Sequence, residues 1–308
     1  MILLWGLPAD PPLASVRAAL SRAGEPVVFL DQQDALRYRL ALTVDDGMRG
    51  TLKMPRRTID LAAVSAVYVR PYDVRQTEAL QGKRSGDPDF ERALVFEDAL
   101  SGWLEMTPAL IVNRPSAMAS NNSKPYQTEL IRAAGFDVPD TLVTTDLSAV
   151  LSFWNKHGTV IYKSISGIRS IITRLRPEHR EKFPDVSHCP TQFQEYIEGT
   201  DIRIHVVGDE VFGCEILSEA DDYRYPSGQS ARVQVQSWRV PDDLARRCRR
   251  LTTALDLAVA GIDLRRTSAG RFYCFEANPS PGFSFYEEAT GQPVGEAIAK
   301  LLSNAAPV

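Results

Sequence analysis

Several signatures that would name a protein class are missing from this chain. Its 308 residues include only four cysteines and four histidines. Cys189, Cys214, Cys248 and Cys274 are scattered and form no C-x-x-C pair. They suggest no disulfide framework, so reduced thiols in a cytoplasmic protein are expected. Cys214 and Cys274 lie in apolar runs and read as core packing. The histidines show no metal-ligand spacing, and His205, on an expected strand, reads as structural. No uncharged run reaches membrane-spanning length. The apolar opening Met1 to Gly6 lacks a basic leader and runs into Pro8, Pro11 and Pro12, so a signal peptide is not expected. A net charge of −4 gives no case for nucleic acid or an anionic membrane as partner. Gly6 and Gly24 do not make a G-x-G-x-x-G loop, which argues against dinucleotide binding by the N-terminal half. There is no evident Ser-His-Asp set, no activated cysteine and no internal repeat. A homo-oligomer is left open.

The ordinary composition, 44% hydrophobic and 24% charged, supports a globular chain with two or three lobes. Ile2 to Trp5 reads as a strand, Leu13 to Ala23 as a helix with Gly24 at its C-cap, and Val27 to Asp31 as a second strand. This β-α-β opening indicates a parallel sheet and an α/β class. Further strands are expected at 51–54 and 66–70, a mobile loop at 77–88 and a helix at 90–104. Arg70-Pro71-Tyr72-Asp73 ends a strand either as a functional loop or as a surface turn. A strand at 109–115 ends before Pro115, where a lobe boundary is placed. A helix then begins near Lys124, whose place at a helix N-terminus suits phosphate or plain solvation. A helix at 146–155 precedes a strand ending in Lys163, a loop and a returning strand at 171–175, a layout that can lay a loop over phosphates. Hairpins are expected at 202–216, turned by Gly208-Asp209, and at 261–283, turned by Ser268-Ala269-Gly270. The arginines of the helix at 241–257 (Arg246, Arg247, Arg249, Arg250) read as a solvated face. A closing helix spans 295–302.

The last hairpin carries hard oxygen donors. Glu276 and Asn278 are two apart on a strand and point the same way. If the two runs pair, Asp263 joins them. Two carboxylates and an amide oxygen then converge, a donor set suited to Mg²⁺ completed by water and phosphates. The plainer alternative is a solvated hairpin with incidental acids.

Lys124, Lys163, the segment Gln194-Glu195-Tyr196-Ile197, Asp201, and then Asp263, Glu276 and Asn278 follow one another in an order that resembles the ATP-grasp superfamily. Within it the likeness is to the RimK-like branch of ribosomal-protein S6 glutamate ligases, over about Asn113 to Leu302. The resemblance implies an ATP-grasp fold with an N-terminal α/β lobe (1–112) and two α+β lobes (113–195 and 196–308) that clamp ATP. It implies that Lys124 and Lys163 contact ATP phosphates. Gln192 to Ile197 would be the inter-lobe linker, with Gln194, Glu195, Tyr196 and Ile197 at the adenine and Asp201 on the ribose. Asp263, Glu276 and Asn278 would hold Mg²⁺, or Mn²⁺. Arg224, in Asp222-Tyr223-Arg224, and Arg203 would stabilise the transferring phosphoryl group. The implied activity is amide or ester formation on a peptide or amino-acid carboxylate through an acyl phosphate, with a small molecule or peptide as substrate. An ATP-grasp kinase and a non-catalytic ATP-binding module are the alternatives. The phosphate loop departs from the family, with only Gly167 and with Arg169. That arginine either replaces backbone contacts or weakens nucleotide binding.

Overall fold

The computed structural model describes residues 1–45, 47–164, 172–218 and 233–306. Its first sheet is parallel, in the order β2-β1-β6-β7: β1 (Ile2–Gly6), β2 (Val27–Asp31), β6 (Ala66–Arg70) and β7 (Leu110–Val112). Every residue of β1 is buried, as expected for a parallel strand covered on both faces. Helix α1 (Pro11–Arg22) starts two residues before the expected position. Asp10 caps it by accepting from the Leu13 N–H at 3.0 Å, and Pro11 and Pro12 fill first-turn positions where a missing N–H costs nothing.

A three-stranded antiparallel sheet follows, β3 (Arg39–Asp45), β4 (Gly47–Lys53) and β5 (Thr58–Asp60). The 51–54 strand lies within and just beyond β4, whose partner β3 was not expected. Segment 77–88 contains a short 3-10 turn and buries Leu80 against Val74 and Ala93, so part of it is packed. Helix α2 (Pro88–Met106) lies next. After β7 come a single turn, α3 (Pro115–Met118), and α4 (Lys124–Ala133).

The central sheet has the order β10-β9-β11-β8, with β8 (Thr141–Thr144), β9 (Val160–Ser164), β10 (Thr173–Arg174) and β11 (Thr191–Glu195). Helix α5 (Leu147–His157) covers one face, packing Val150 on Val160 and Phe193. The C-terminal sheet is antiparallel: β12 (Thr200–Val207), β13 (Glu210–Leu217), β14 (Gln234–Trp238), β15 (Val259–Arg266) and β16 (Phe272–Asn278), ordered β14-β13-β12-β15-β16. Helix α6 (Asp242–Ala254) covers one face. Ile202, Ile204, Ala260, Ile262, Leu264 and Ala277 meet Leu244, Cys248 and Leu251 there.

Two short helices close the chain, α7 (Ser284–Thr290) and α8 (Val294–Ser303). Helix α8 buries Val294, Ile298 and Leu302 in the same cluster as Leu13, Val16 and Leu20 of α1, so the last helix completes the first core. The arginines of α6 are not uniformly solvated. Arg247 donates to the Gly135 carbonyl at 3.2 Å and its guanidinium lies 5.3 Å from the Phe136 ring centre, tying α6 to the end of α4. Among the described residues no helix is long and apolar enough to cross a membrane.

Candidate functional site

The C-terminal sheet turns one face to α6 and carries its polar side chains on the other. Strand alternation dictates this, since Ile202 and Ile204 are buried on one face and Asp201, Arg203 and His205 go to the opposite one. Asp263 pairs with Arg203 on one side and with Glu276 on the other, while Gly261 pairs with His205 and Asn278. The expected donor set therefore shares one face. The ladder slips between Asp263 and Leu264, because Leu264 pairs with Cys274. The extra residue is Phe275, a β-bulge that lets Cys274 and Ala277 both stay in the core while Glu276 stands opposite Asp263.

These charges are paired. Arg203 Nη1 donates to Asp263 Oδ1 at 2.5 Å, with the two side chains 6% and 20% exposed. Arg203 Nε donates to His205 Nε2 at 3.3 Å. His205 is fully buried; desolvation, then the neighbouring Arg203 charge, hold its pKa well below the ordinary value. The imidazole is thus neutral, and acceptance by Nε2 assigns its proton to Nδ1, which is buried without a hydrogen-bond partner among the described residues. Asp201 accepts from Arg265 Nε at 2.8 Å and Nη2 at 3.0 Å, and Arg265 Nη1 donates to the Ile197 carbonyl at 2.9 Å. Asp201 is therefore no isolated ribose acceptor; Arg265 organises it together with the linker. Asn278 Oδ1 accepts from the Ser280 N–H at 2.9 Å, which turns the chain sharply after β16.

On the central sheet, Lys163, Gln192 and Gln194 share the face opposite α5, with Gln192 paired to Lys163 and Gln194 to Ile161. All are buried, Lys163 at 7% exposed. Gln194 Nε2 donates to Thr141 Oγ1 at 3.0 Å, while its Oε1 is buried without a partner among the described residues. Most of the segment expected as a linker is strand. Gln192, Gln194 and Glu195 belong to β11, which is hydrogen-bonded on both sides, because β8 and β9 supply ladder partners. Glu195 Oε1 accepts from the Asp140 N–H at 2.9 Å, and the Tyr196 N–H is taken by the Thr159 carbonyl at 3.0 Å. Tyr196 lies between two arginines, with Arg174 4.1 Å and Arg265 5.5 Å from its ring centre.

Lys124 stands at the first position of α4. One turn on, on the same face, buried Gln127 donates to the Ala277 carbonyl at 2.9 Å and accepts from the Ala277 N–H at 3.0 Å. That two-way bond fixes Lys124 near the Glu276–Asn278 end of β16. Buried Asn113 acts similarly. It donates to the Val259 and Pro279 carbonyls at 2.7 and 2.6 Å and accepts from the Ala258 N–H at 2.8 Å. Arg70 is no surface turn either: it donates to Asp10 at 2.7 Å and to Ser280 Oγ and the Pro281 carbonyl at 3.0 Å. Sequence reasoning passed over Gln127, Asn113 and Arg265 as site-builders, since their roles arise only from distant strands.

Arg224 and Arg169 lie outside the described residues. Among the described residues no group of three or more His, Cys, Asp or Glu side chains is placed to hold a metal ion. The expected set has only two of these, with an amide as third donor. Such an all-oxygen set fits Mg²⁺, which takes few protein ligands. Burial pushes the Cys214 thiol up to about 11 and raises that of Cys274 as well, so neither is an activated nucleophile.

Comparison with known proteins agrees with this geometry. A "Probable alpha-L-glutamate ligase" from Histophilus somni is 28% identical over 194 residues, covering 58% of this chain and 62% of that protein. The chain thus spans less than two-thirds of that relative's length. The macrocyclase MdnC from Microcystis aeruginosa, bound with precursor peptide MdnA, superposes with a TM-score of 0.82 at 21% identity, covering 99% of this chain and 100% of that one. The ATP-grasp ligase PsnB, complexed with minimal precursor, Mg and ADP, gives a TM-score of 0.78 at 25% identity, covering 98% and 96%. These likenesses show the ATP-grasp fold. The model of the RimK-like ATP-grasp domain matches residues 122–302, which span α4, the central sheet, the C-terminal sheet and nearly all of α8. With more than half of the chain inside that match, this chain belongs to the RimK-like ATP-grasp family.

Proposed function

We propose that the chain is an ATP-dependent ligase that forms an amide, or with a hydroxyl acceptor an ester, on the carboxylate of a peptide or amino acid. The observation that carries this reading is the register of the C-terminal sheet. It sets Asp263 opposite Glu276, Asn278 two residues further, and Arg203 against Asp263. Family membership and the peptide-bound state of MdnC support a peptide acceptor.

In this reading the lobes are 1–112, 113–195 and 196–308, and ATP lies between the latter two. Lys163 and Lys124 meet phosphate charge. Gln194, Glu195, Tyr196 and Ile197 line the adenine, and Asp201, held by Arg265, faces the ribose. Asp263, Glu276 and Asn278 hold Mg²⁺ or Mn²⁺, which when bound screens phosphate charge and improves ADP as a leaving group. The acceptor carboxylate oxygen attacks the γ-phosphorus while the bond to ADP breaks. An amine nitrogen then attacks the acyl carbon, the carbon–oxygen bond to phosphate breaks, and the amine's extra proton passes to solvent. Arg203 meets the charge that develops on the phosphoryl and acyl oxygens, and the family resemblance assigns Arg224 the same role.

Phosphorus NMR of the protein with ATP, Mg²⁺ and a mixture of amino acids and short acidic peptides tests this. Acceptor-dependent ADP and phosphate, lost in Glu276→Ala, is the expected result. A phosphate ester would make the protein a kinase, and AMP with pyrophosphate would overturn the acyl-phosphate route.

A further inference from the structure

Arg203 occupies a site shaped around it. Its guanidinium lies over Gly261 on the neighbouring strand. A Cβ built on Gly261 would overlap Arg203 Nη2 and fall 2.6 Å from Cζ and 2.7 Å from the Pro281 Cβ. Gly261 has no positive φ in its strand, so backbone conformation does not demand glycine there. What demands it is the pair of groups packed over it, the Arg203 guanidinium and the Pro281 ring. The other sides are also filled. Tyr286 of α7 presents its ring 5.6 Å from the guanidinium carbon. His205 accepts from Nε, and its ring packs edge-on against Tyr286 at 5.1 Å between ring centres. Asp263 accepts from Nη1.

An arginine on an open sheet face would sample many rotamers, at a cost recovered only when it binds. Here Nε and Nη1 are both engaged, the Tyr286 ring lies 5.6 Å from the guanidinium carbon, and Gly261 lies against the group. We propose that Gly261 and His205 are positioning residues for Arg203: the absent Cβ of Gly261 and the imidazole Nε2 of His205 form the seat that holds the guanidinium beside the candidate metal ligands. The seat leaves Arg203 one fixed direction in which to meet charge developing on the phosphoryl and acyl oxygens. Preorganisation of this kind acts on the transition state more than on nucleotide binding. His205 touches no reacting atom in this arrangement and acts through Arg203. The histidine also has a specific requirement that size alone does not meet: its Nε2 must be an acceptor, which the neutral ring supplies.

The kinetic part rests on the ligase reading, so the test has two readouts. The first is the nitrogen-15 spectrum of arginine Nε–H groups in the metal-free full chain. A slowly exchanging Arg203 resonance, identified by its loss in Arg203→Lys, is expected in the natural protein. It should persist in His205→Gln, whose amide oxygen can take the place of Nε2, and vanish in His205→Leu and Gly261→Ala. The second is acceptor-dependent ADP formation. His205→Leu should lower kcat about tenfold or more with the KM for ATP changed less than about threefold, and His205→Gln should restore most of the rate. An Arg203 resonance that is indifferent to residue 205 overturns the seat, whatever the activity. Equal rates for His205→Leu and His205→Gln overturn it as well. Intact resonances with no turnover of any acceptor by the natural protein would count against the ligase reading and leave the seat standing.

Discussion

Two sheets carry the polar side chains of the candidate site, and they hold them differently. On the C-terminal sheet two ion pairs hold the polar face: Arg203 with Asp263, and Arg265 with Asp201. On the central sheet the buried Lys163, itself engaged, stands beside two buried glutamines, and Gln194 keeps an acceptor oxygen without a partner among the described residues. A buried charge is tolerated when paired and hydrogen-bonded, whereas an unmatched buried acceptor costs free energy until something donates to it. The C-terminal wall is therefore set before any ligand arrives. The central wall keeps hydrogen-bonding capacity that a ligand can use. In the proposed reaction the first wall handles chemistry and the second handles binding.

The most severe way to break that division is to remove a charge from each wall. Glu276→Ala should cut acceptor-dependent ADP release about 10³-fold while changing ATP affinity less than about tenfold. Lys163→Ala should weaken ATP binding about tenfold or more, through lost charge-assisted contact. Isothermal titration and steady-state kinetics on both variants decide it. If Glu276→Ala abolished ATP binding as well, the walls would not divide the work.

A smaller effect tests how the C-terminal wall is held. Gln127 satisfies both backbone groups of Ala277, in the middle of the segment that carries Glu276 and Asn278. Gln127→Leu leaves a buried N–H and a buried C=O unmatched, so unfolding free energy should fall by about 2–4 kcal/mol. Urea denaturation would measure it. A loss below about 1 kcal/mol would mean that β16 does not depend on α4.

The same contrast explains how much was legible in advance. The shared face of Asp263, Glu276 and Asn278 could be read because strand alternation and one hairpin turn fix it, all local facts. The Phe275 bulge could not be read, yet it is what keeps Glu276 opposite Asp263 while Cys274 remains in the core. Gln192 and Gln194 looked like a linker because their polar side chains hid a strand; burial of that face is a tertiary fact with no sequence period. Strand β3 was missed although Leu40, Leu42 and Val44 alternate with Ala41, Thr43 and Asp45; the strand is mostly exposed, and its pairing with β4 is a tertiary fact. Asn113 and Arg70 bond to segments more than a hundred residues away, where single-sequence patterns say nothing.

A carboxylate outside both walls gives a control in which burial outweighs the nearby Arg75 charge. Burial pushes the Glu97 carboxyl up to about 7 from 4.5, with Asp73 and Asp98 adding repulsion. The folded state thus binds its proton more tightly than the unfolded chain does. That contribution is fully present below 4.5 and is lost as pH rises through about 7. The Gln32 amide donates to Glu97 Oε1 at 3.1 Å, and Glu97→Gln keeps that acceptor without the charge. It should match the natural protein near the acid end and exceed it above the folded pKa by on the order of 1–2 kcal/mol, after allowing for partial solvent screening. A difference independent of pH would show that Glu97 is not the titrating group.

The finest test lies on Gln194 itself. Gln194→Met keeps the length of the side chain and removes both the unmatched Oε1 and the bond to Thr141 Oγ1. Thr141 retains its bond to the Pro139 carbonyl, so the threonine is not orphaned. Removing an unpaired buried acceptor gains about as much as, or more than, one neutral hydrogen bond contributes, so the ligand-free protein should be as stable or up to about 1 kcal/mol more stable. ATP affinity should fall at the same time, because the donor that the ligand brings then has no acceptor. Opposite signs for the two effects would mark Gln194 as a group left unsatisfied for the sake of a ligand. Parallel losses would mean that its oxygen already has a partner and that the central wall is as fully paired as the C-terminal one.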